Sequence, residues 1–203
     1  MPMNALVSHP TGNANLRAVL RGLHGAGALA EFWTTLALPD GVRRAPWLPE
    51  RARRRLSQRS FAEAPWTRTR LRPGREVARL AARWAGVSTL TCHETGWASV
   101  DGVYRDLDRA VARRLREPGC GAAAVYAYED GAHDTFLAAR ETGRVCVYDL
   151  PIAHWRTLRR LLEEEAERVP QWASTMSGLK DSASKHERKD AEIELADHII
   201  VAS

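Results

Sequence analysis

Three groups of polar residues each follow a short apolar run, and their types suit the binding of a hydroxyl-rich ligand. The first group, within 8–15, follows the run 5–7, the second follows 122–128, and the third follows 145–148. If these runs are parallel strands of one sheet, their carboxyl ends open onto one edge and the three groups converge there. The candidate binding residues are His9, Gly12, Asn13, Asn15, Glu129 and Asp130, with Asp149 as the candidate catalytic residue.

The chemistry available to these groups is hydrogen bonding and proton transfer. Carboxylates and amides at a strand edge can bind the hydroxyls of a polyol, and Asp149 could act as a general base on a hydroxyl nucleophile. Each residue also has a structural alternative. Asn13 and Asn15 could cap the first helix, Asp130 could form a turn, and Asp149 could cap the next helix. Capping explains any single residue equally well, so the prediction depends on the convergence of the three groups.

Several motifs that would identify an enzyme class are missing from the sequence. No glycine-rich dinucleotide fingerprint follows the first apolar run, and the chain has no P-loop, no Gly-x-Ser-x-Gly and no His-Glu-x-x-His. The seven histidines include no pair with metal-ligand spacing on one helix face. We therefore expect neither a cofactor nor a metal site.

The composition indicates one globular domain over 1–203 rather than a membrane or disulfide-rich protein. The chain is 44% hydrophobic and 27% charged, and no apolar run approaches the roughly 20 residues that span a bilayer. Three widely spaced cysteines favour reduced thiols in the cytoplasm. The net charge is +5, but only three of the 30 basic residues are lysines. Genomic composition explains that arginine bias as well as an anionic partner does, so nucleic acid is not expected.

The spacing of apolar residues predicts helices that alternate with buried strands. Predicted helices span 15–25, 49–59, 76–85, 100–115, 136–140, 152–168 and 181–197, and predicted strands span 5–7, 29–38, 122–128, 145–148 and 199–202. This order predicts an α/β fold, a three-layer, mostly parallel Rossmann-like sheet with helices on both faces.

The segment 42–74 interrupts the pattern and is predicted to be an irregular basic and aromatic insertion. Seven arginines lie within 43–59, close in sequence to Trp47, Phe61 and Trp66. They form either a surface for peripheral contact with anionic lipid head groups or a solvated face whose tryptophans pack on the core. We favour the solvated face, because charge patterning alone is weak evidence.

Four stretches of the chain, taken together and in order, are informative about its family. The stretches are LVSHPTGNANLRAVLRGL, AVYAYEDGAHDTF, VYDLPIAHWRTLRRLLEEEAERVPQW and KDAEIELADHIIVAS. In this order they resemble the N-terminal domain of bacterial family-4 glycosyltransferases, which have the GT-B architecture of two Rossmann-like domains facing each other across a cleft. The similarity covers nearly all of the chain except about 40–75, and the last stretch, an acidic helix followed by an apolar strand, is the most specific.

The resemblance implies one half of a GT-B fold that takes part in sugar transfer from a nucleotide-sugar donor to a sugar or lipid-linked acceptor. This half would hold the acceptor and would need no bound metal. The protein would work in the cytoplasm or at the inner face of the membrane. The loop that matches Gly12 and Asn13 would lie close to the donor phosphates. The donor-binding C-terminal domain, with its Glu-x7-Glu signature, is absent from these 203 residues, so the resemblance implies that the chain alone is not catalytically competent.

Two positions bear directly on that implied function. The family often has a histidine just after the strand at 145–148, whereas this chain has Asp149 at about that place. We also expect Gly12→Val to block the cleft between acceptor and donor with little loss of stability.

Two other hypotheses stay open. The chain could be a stand-alone Rossmann-like binding or scaffold module without catalytic activity, whose mark would be an exposed apolar patch in place of a polar cleft. It could also bind nucleic acid or a membrane surface through the arginines of 43–59, in which case binding would depend on salt.

Overall fold

The computed structural model describes residues 4–39, Glu50 and 59–201. Within them, six strands form one sheet, and each neighbouring pair is parallel. The strands are β1 (Ala5–Ser8), β2 (Leu29–Thr34), β3 (Thr69–Leu71), β4 (Ala124–Tyr128), β5 (Val145–Leu150) and β6 (His198–Val201), in the order β3-β2-β1-β4-β5-β6. Most of the predicted helix 49–59 and most of the arginines of 43–59 lie outside the described residues.

Six α-helices connect and flank the strands of the described residues. They are α1 (Ala14–Gly25), α2 (Gly74–Trp84), α3 (Val100–Arg116), α4 (His133–Glu141), α5 (Trp155–Arg168) and α6 (Ala183–Leu195). The predicted α/β fold, a Rossmann-like sheet between two helical layers, is confirmed. Three strands differ from the sequence-based expectation: β2 ends at Thr34, β3 lies inside the segment predicted to be irregular, and β5 continues to Leu150.

Two apolar clusters cover the two faces of the sheet. On one face, Val111 and Leu115 of α3 and Phe136 of α4 pack against β1, β4 and β5. On the other face, Leu16 and Leu20 of α1 pack against β1 and β2. Because both faces are covered, the central strands are continuously apolar, which is why they could be predicted from the sequence.

The strand order reverses between β1 and β4, since the chain moves from β1 outward to β2 and β3 and then returns to the other side of β1. The loops that follow β1 and β4 therefore leave the sheet in opposite directions. Open α/β sheets usually bind ligands between two such loops, and we call this position the crevice. Two of the three predicted polar groups lie in these two loops. No helix of the described residues is both long and apolar enough to cross a membrane.

Candidate functional site

The loop after β1 forms one side of the crevice and is fixed to the end of β2. The carbonyl oxygen of Pro10 accepts hydrogen bonds from the hydroxyl of Thr35 at 2.5 Å and the hydroxyl of Thr34 at 3.4 Å. The backbone N–H of His9 donates to the carbonyl of Trp33 at 3.0 Å. These bonds continue the strand pairing into the loop, so the loop is held in one position at the edge of the sheet.

His9 is buried in this loop as a neutral ring. Its Nδ1 accepts hydrogen bonds from the backbone N–H groups of Thr11 at 3.2 Å and Gly12 at 2.9 Å, so the ring proton is on Nε2. The ring centroid lies 4.1 Å from that of Tyr128, at the end of β4. Burial, and secondly the charge of Arg59, lower the pKa of His9 to about 3. The side chain thus joins the two loops of the crevice and is not exposed to a ligand.

We expect the imidazole resonances of His9 to stay unchanged between pH 5 and pH 8 in an NMR titration. With a pKa of about 3 in the folded state, against 6.5 ordinarily, the unfolded chain takes up the proton first. The free energy of unfolding should therefore fall as the pH falls from about 6.5 towards 3, since protonation favours the unfolded state. A titration midpoint for His9 between pH 5 and pH 7 would contradict this description of the loop.

Gly12 has a backbone φ of +88° and is covered by the ring of Phe61. A Cβ atom at Gly12 would lie 2.5 Å from Cε1 and 2.7 Å from Cζ of that ring. The expectation that Gly12→Val leaves stability almost unchanged is therefore wrong. A side chain at this position is strained by the backbone and must also displace a buried aromatic ring.

The two asparagines of the first group have separate positions. Asn13 Oδ1 accepts a hydrogen bond from the backbone N–H of Leu16 at 2.7 Å, which makes Asn13 the N-cap of α1. Asn15 is exposed in the first turn of α1. Capping accounts for Asn13, whereas the side chain of Asn15 is exposed to solvent.

The second group, after β4, joins an ion-pair cluster with α6. Lys189 Nζ contacts Glu129 Oε1 and lies 3.2 Å from Asp130 Oδ1. Lys185 Nζ lies 3.8 Å from Asp130 Oδ2, and it also pairs with Asp101 at 2.9 Å and with Asp181 at 3.1 Å. We call this set the lysine–carboxylate cluster; its members are Asp101, Glu129, Asp130, Asp181, Lys185 and Lys189.

The lysine–carboxylate cluster has an excess of negative charge. Its four carboxylates face two ammonium groups, which leaves two formal negative charges. Burial raises the pKa of Glu129, whereas Lys185 lowers the pKa of Asp101 despite burial. Burial opposes the charge of Lys189, but Asp130 and Glu129 outweigh it and raise the lysine pKa. Both ammonium groups are thus engaged by acids of this chain, and the cluster favours hydroxyl groups over anions.

Asp149 lies inside β5, which continues to Leu150, and not beyond the end of the strand as predicted. Asp149 is 2% exposed, and its carboxyl group interacts electrostatically with the hydroxyl of Tyr126. Within the described residues, neither Asp149 Oδ2 nor that hydroxyl has a hydrogen-bond partner. Burial raises the pKa of Asp149. Only its main chain reaches the rim, where its carbonyl accepts a hydrogen bond from the N–H of Glu129 at 3.1 Å.

Glu192 of α6 holds the loop after β4, and its role was not predicted. It is fully buried, and its Oε2 accepts from the backbone N–H of Asp130 at 3.0 Å and from the hydroxyl of Tyr148 at 2.9 Å. Its Oε1 accepts from the backbone N–H groups of Ala132 at 3.1 Å and His133 at 3.2 Å. The same loop contains Asp130 at a φ of +66°, in the left-handed region that aspartate adopts more often than most residues with a side chain.

A signal for this face of α6 is present in the sequence. Lys185, Lys189 and Glu192 are spaced by four and three residues, so they share one face of a helix. In a chain whose basic residues are nearly all arginine, two of the three lysines stand on this face. A polar face on a helix is normally solvated, and only the fold places this one against the acidic loop.

His93, Glu94 and Asp181 form a further polar group, with ligand atoms within 4.8 Å of one another. His93 Nε2 lies 3.0 Å from Asp181 Oδ1, and Lys185 donates to the same oxygen at 3.1 Å. Both oxygens of Glu94 accept hydrogen bonds from Ser182, at 2.8 Å from its N–H and 2.5 Å from its hydroxyl. The nitrogen and oxygen atoms that could bind a metal are thus hydrogen-bonded within the protein. The adjacent ammonium group of Lys185 disfavours a cation at this position.

Comparison of the sequence with known protein families and with curated proteins finds no match. The arrangement itself defines the class of site. The strand order places the switch point between the fixed loop after β1 and the acidic loop after β4. Such a site can orient hydroxyl groups through carboxylate acceptors and ammonium donors.

Proposed function

We propose that the chain is the acceptor-side half of a GT-B glycosyltransferase of the family-4 type. In this proposal it holds a sugar or lipid-linked acceptor while a second domain supplies the nucleotide-sugar. The observation that carries the proposal is the switch point between β1 and β4, where the acidic loop at Glu129 and Asp130 leaves the sheet. The four stretches that resemble the family include both loops, and they follow one another along the chain in the order expected from that resemblance.

The roles of the predicted residues follow from their surroundings. Asp130 lies beside two ammonium groups and is the carboxylate best placed to orient an acceptor hydroxyl. The buried side chain of Asp149, set against Tyr126, supports a structural role more than that of a general base. The N-terminus of α1, capped by Asn13, would stabilise negative charge on a donor phosphate approaching the first loop.

Within this proposal the chain works on the cytoplasmic side, and at the inner face of the membrane when the acceptor is lipid-linked. Contact with lipid through 43–59 remains a proposal, since nearly all of that segment lies outside the described residues. Replacement of its arginines should abolish binding to anionic vesicles if that contact exists.

We expect no sugar transfer by the chain alone, and transfer when a family-4 donor-binding domain is joined to it or added in trans. The measurement is release of nucleoside diphosphate together with mass detection of the glycosylated acceptor. In the joined enzyme, Asp130→Asn should lower kcat/KM at least tenfold, because one acceptor of the crevice is weakened. Asp134→Asn, on α4 and partly exposed, is the matched control and should leave kcat/KM unchanged. Robust transfer by the isolated chain would contradict the proposal.

One observation favours the alternative of a stand-alone binding or scaffold module. The outer strand β6 is exposed along its length, with side chains of Ile199, Ile200 and Val201 that are 44%, 46% and 60% exposed. An uncovered apolar edge strand can pair with another chain. Partner binding that Ile200→Glu abolishes, together with no transfer in any joined enzyme, would establish this alternative instead.

A further inference from the structure

A cleft of about 560 Å³ lies beside the crevice, among α5, the loop after β5, the short turns at Pro170–Thr175 and Ser177–Lys180, and the start of α6. Its volume is in the range of small-molecule sites. Its lining contains charged residues of the lysine–carboxylate cluster together with an apolar set. The apolar set is Val100, Ile152, Leu158, Leu162 and Met176.

The charged part of the lining suits hydroxyl groups better than ions. Lys185 already pairs with Asp101 at 2.9 Å and with Asp181 at 3.1 Å, and Lys189 pairs with Asp130 at 3.2 Å. Because carboxylates outnumber ammonium groups, a phosphate would meet net repulsion. An ammonium head only donates hydrogen bonds, so it cannot accept one from Lys185 or Lys189. A sugar hydroxyl both donates and accepts hydrogen bonds, so it can insert between neighbouring donors and acceptors of this kind.

The apolar part of the lining needs a ligand that is more than a free sugar. Ile152 remains 48% exposed, and it shares the cleft with two leucines of α5 and a methionine. Covering exposed apolar surface of this kind with an apolar group lowers the free energy. Met176 has an unbranched, flexible side chain that adapts to ligands of different shape. The lining therefore fits a molecule with both a polyol head and an apolar chain or ring.

We propose that this cleft binds an amphipathic polyol, in which a sugar or similar hydroxyl-rich head carries an alkyl or aryl group. The head lies against the lysine–carboxylate cluster and the apolar group lies against Ile152, Leu158 and Leu162. Identification of this ligand as the acceptor of sugar transfer rests on the proposed function above. The binding itself does not depend on that function.

The test is a titration of the chain with octyl β-glucoside, kept below its micelle-forming concentration and followed by amide NMR shifts. Three comparison probes are used. Glucose lacks the apolar chain, and octyl phosphate and octylamine carry a charged head in place of the sugar. We expect octyl β-glucoside to bind at least ten times more tightly than any of the three. The largest shifts should fall on residues that line the cleft.

A pair of matched variants locates the binding. Ile152→Asp places a carboxylate in the apolar part and should weaken octyl β-glucoside binding at least tenfold. Leu161→Asp makes the same kind of change on α5 at a side chain that is 46% exposed and does not line the cleft, and it should leave binding unchanged. Both replaced side chains are well exposed, so neither variant should impair folding, which the far-UV circular dichroism of each variant checks.

Several results would overturn the proposal: no binding of octyl β-glucoside, equal or tighter binding of octyl phosphate, octylamine or glucose, or equal losses in the two variants. The outcome is also separable from that of the proposed function. If the cleft binds octyl β-glucoside but no joined enzyme transfers sugar, the glycosyltransferase proposal fails and the binding site stands. If transfer occurs and Ile152→Asp does not affect it, the cleft is not the acceptor site.

Discussion

Glu192→Ala is expected to lower the free energy of unfolding by about 4 kcal/mol, the largest single effect that we predict. The replacement leaves three backbone N–H groups and the hydroxyl of Tyr148 without their buried acceptor, and each such loss costs roughly 1–3 kcal/mol. The cavity left by the side chain adds to the cost. Urea unfolding followed by circular dichroism measures the change.

The matched control for this experiment is Glu194→Ala on the same helix. Glu194 is exposed, so its replacement should change the free energy of unfolding by no more than about 0.5 kcal/mol. A loss of about 1 kcal/mol or less in Glu192→Ala would show that the loop after β4 does not depend on this carboxylate. Because Asp130 belongs to that loop, ligand binding at the crevice should weaken together with stability.

The same residue makes stability depend on pH in a defined direction. Burial raises the pKa of Glu192 from 4.5 to about 7. Between these values the folded state holds a proton that the unfolded state has lost, so the free energy of unfolding falls as the pH rises through this window. Relative to Glu192→Gln, which does not titrate, the native protein should lose up to about 3 kcal/mol between pH 4 and pH 8. A constant difference across this range would contradict the assignment.

Gly12→Ala is expected to lower the free energy of unfolding by about 3 kcal/mol. Roughly 1–2 kcal/mol comes from placing a side chain at a positive φ, and the rest from displacing Phe61, which also packs edge-on against Phe32 at 5.0 Å. Gly27→Ala is the matched control, because Gly27 also has a positive φ of +68° but open space around its Cβ position. It should cost only the backbone part, and the measurement is again urea unfolding.

A double-mutant cycle isolates the contact with the aromatic ring. In a Phe61→Ala background, the cost of Gly12→Ala should fall to that of Gly27→Ala, since the ring is no longer present. If Gly12→Ala costs the same with and without Phe61, the ring does not close over the first loop. In that case the crevice is wider on this side than the described contacts indicate.

The sequence predicted most of the fold because the central strands are buried on both faces. The runs 122–128 and 145–148 are apolar without interruption, and the strands observed there are Ala124–Tyr128 and Val145–Leu150. The helices of the described residues were predicted from apolar spacing and lie within a few residues of their expected positions. β3 was missed because it has three residues and is formed by Thr69, Arg70 and Leu71, a sequence with no buried apolar run.

What the sequence determined by itself is the alternation of strands and helices, and with it the placement of the first two polar groups at one sheet edge. Apolar burial acts over a few neighbouring residues, so it leaves a local pattern in the chain. Only the tertiary structure decided what the polar residues contact. Lys189 meets Glu129 across 60 positions of sequence, and Glu192 meets Ala132 across the same separation, because α6 packs beside the loop after β4. Hydrogen bonds between such distant residues have no local signature, so a candidate ligand such as Glu129 could not be distinguished from an ion-pair partner before the fold was known.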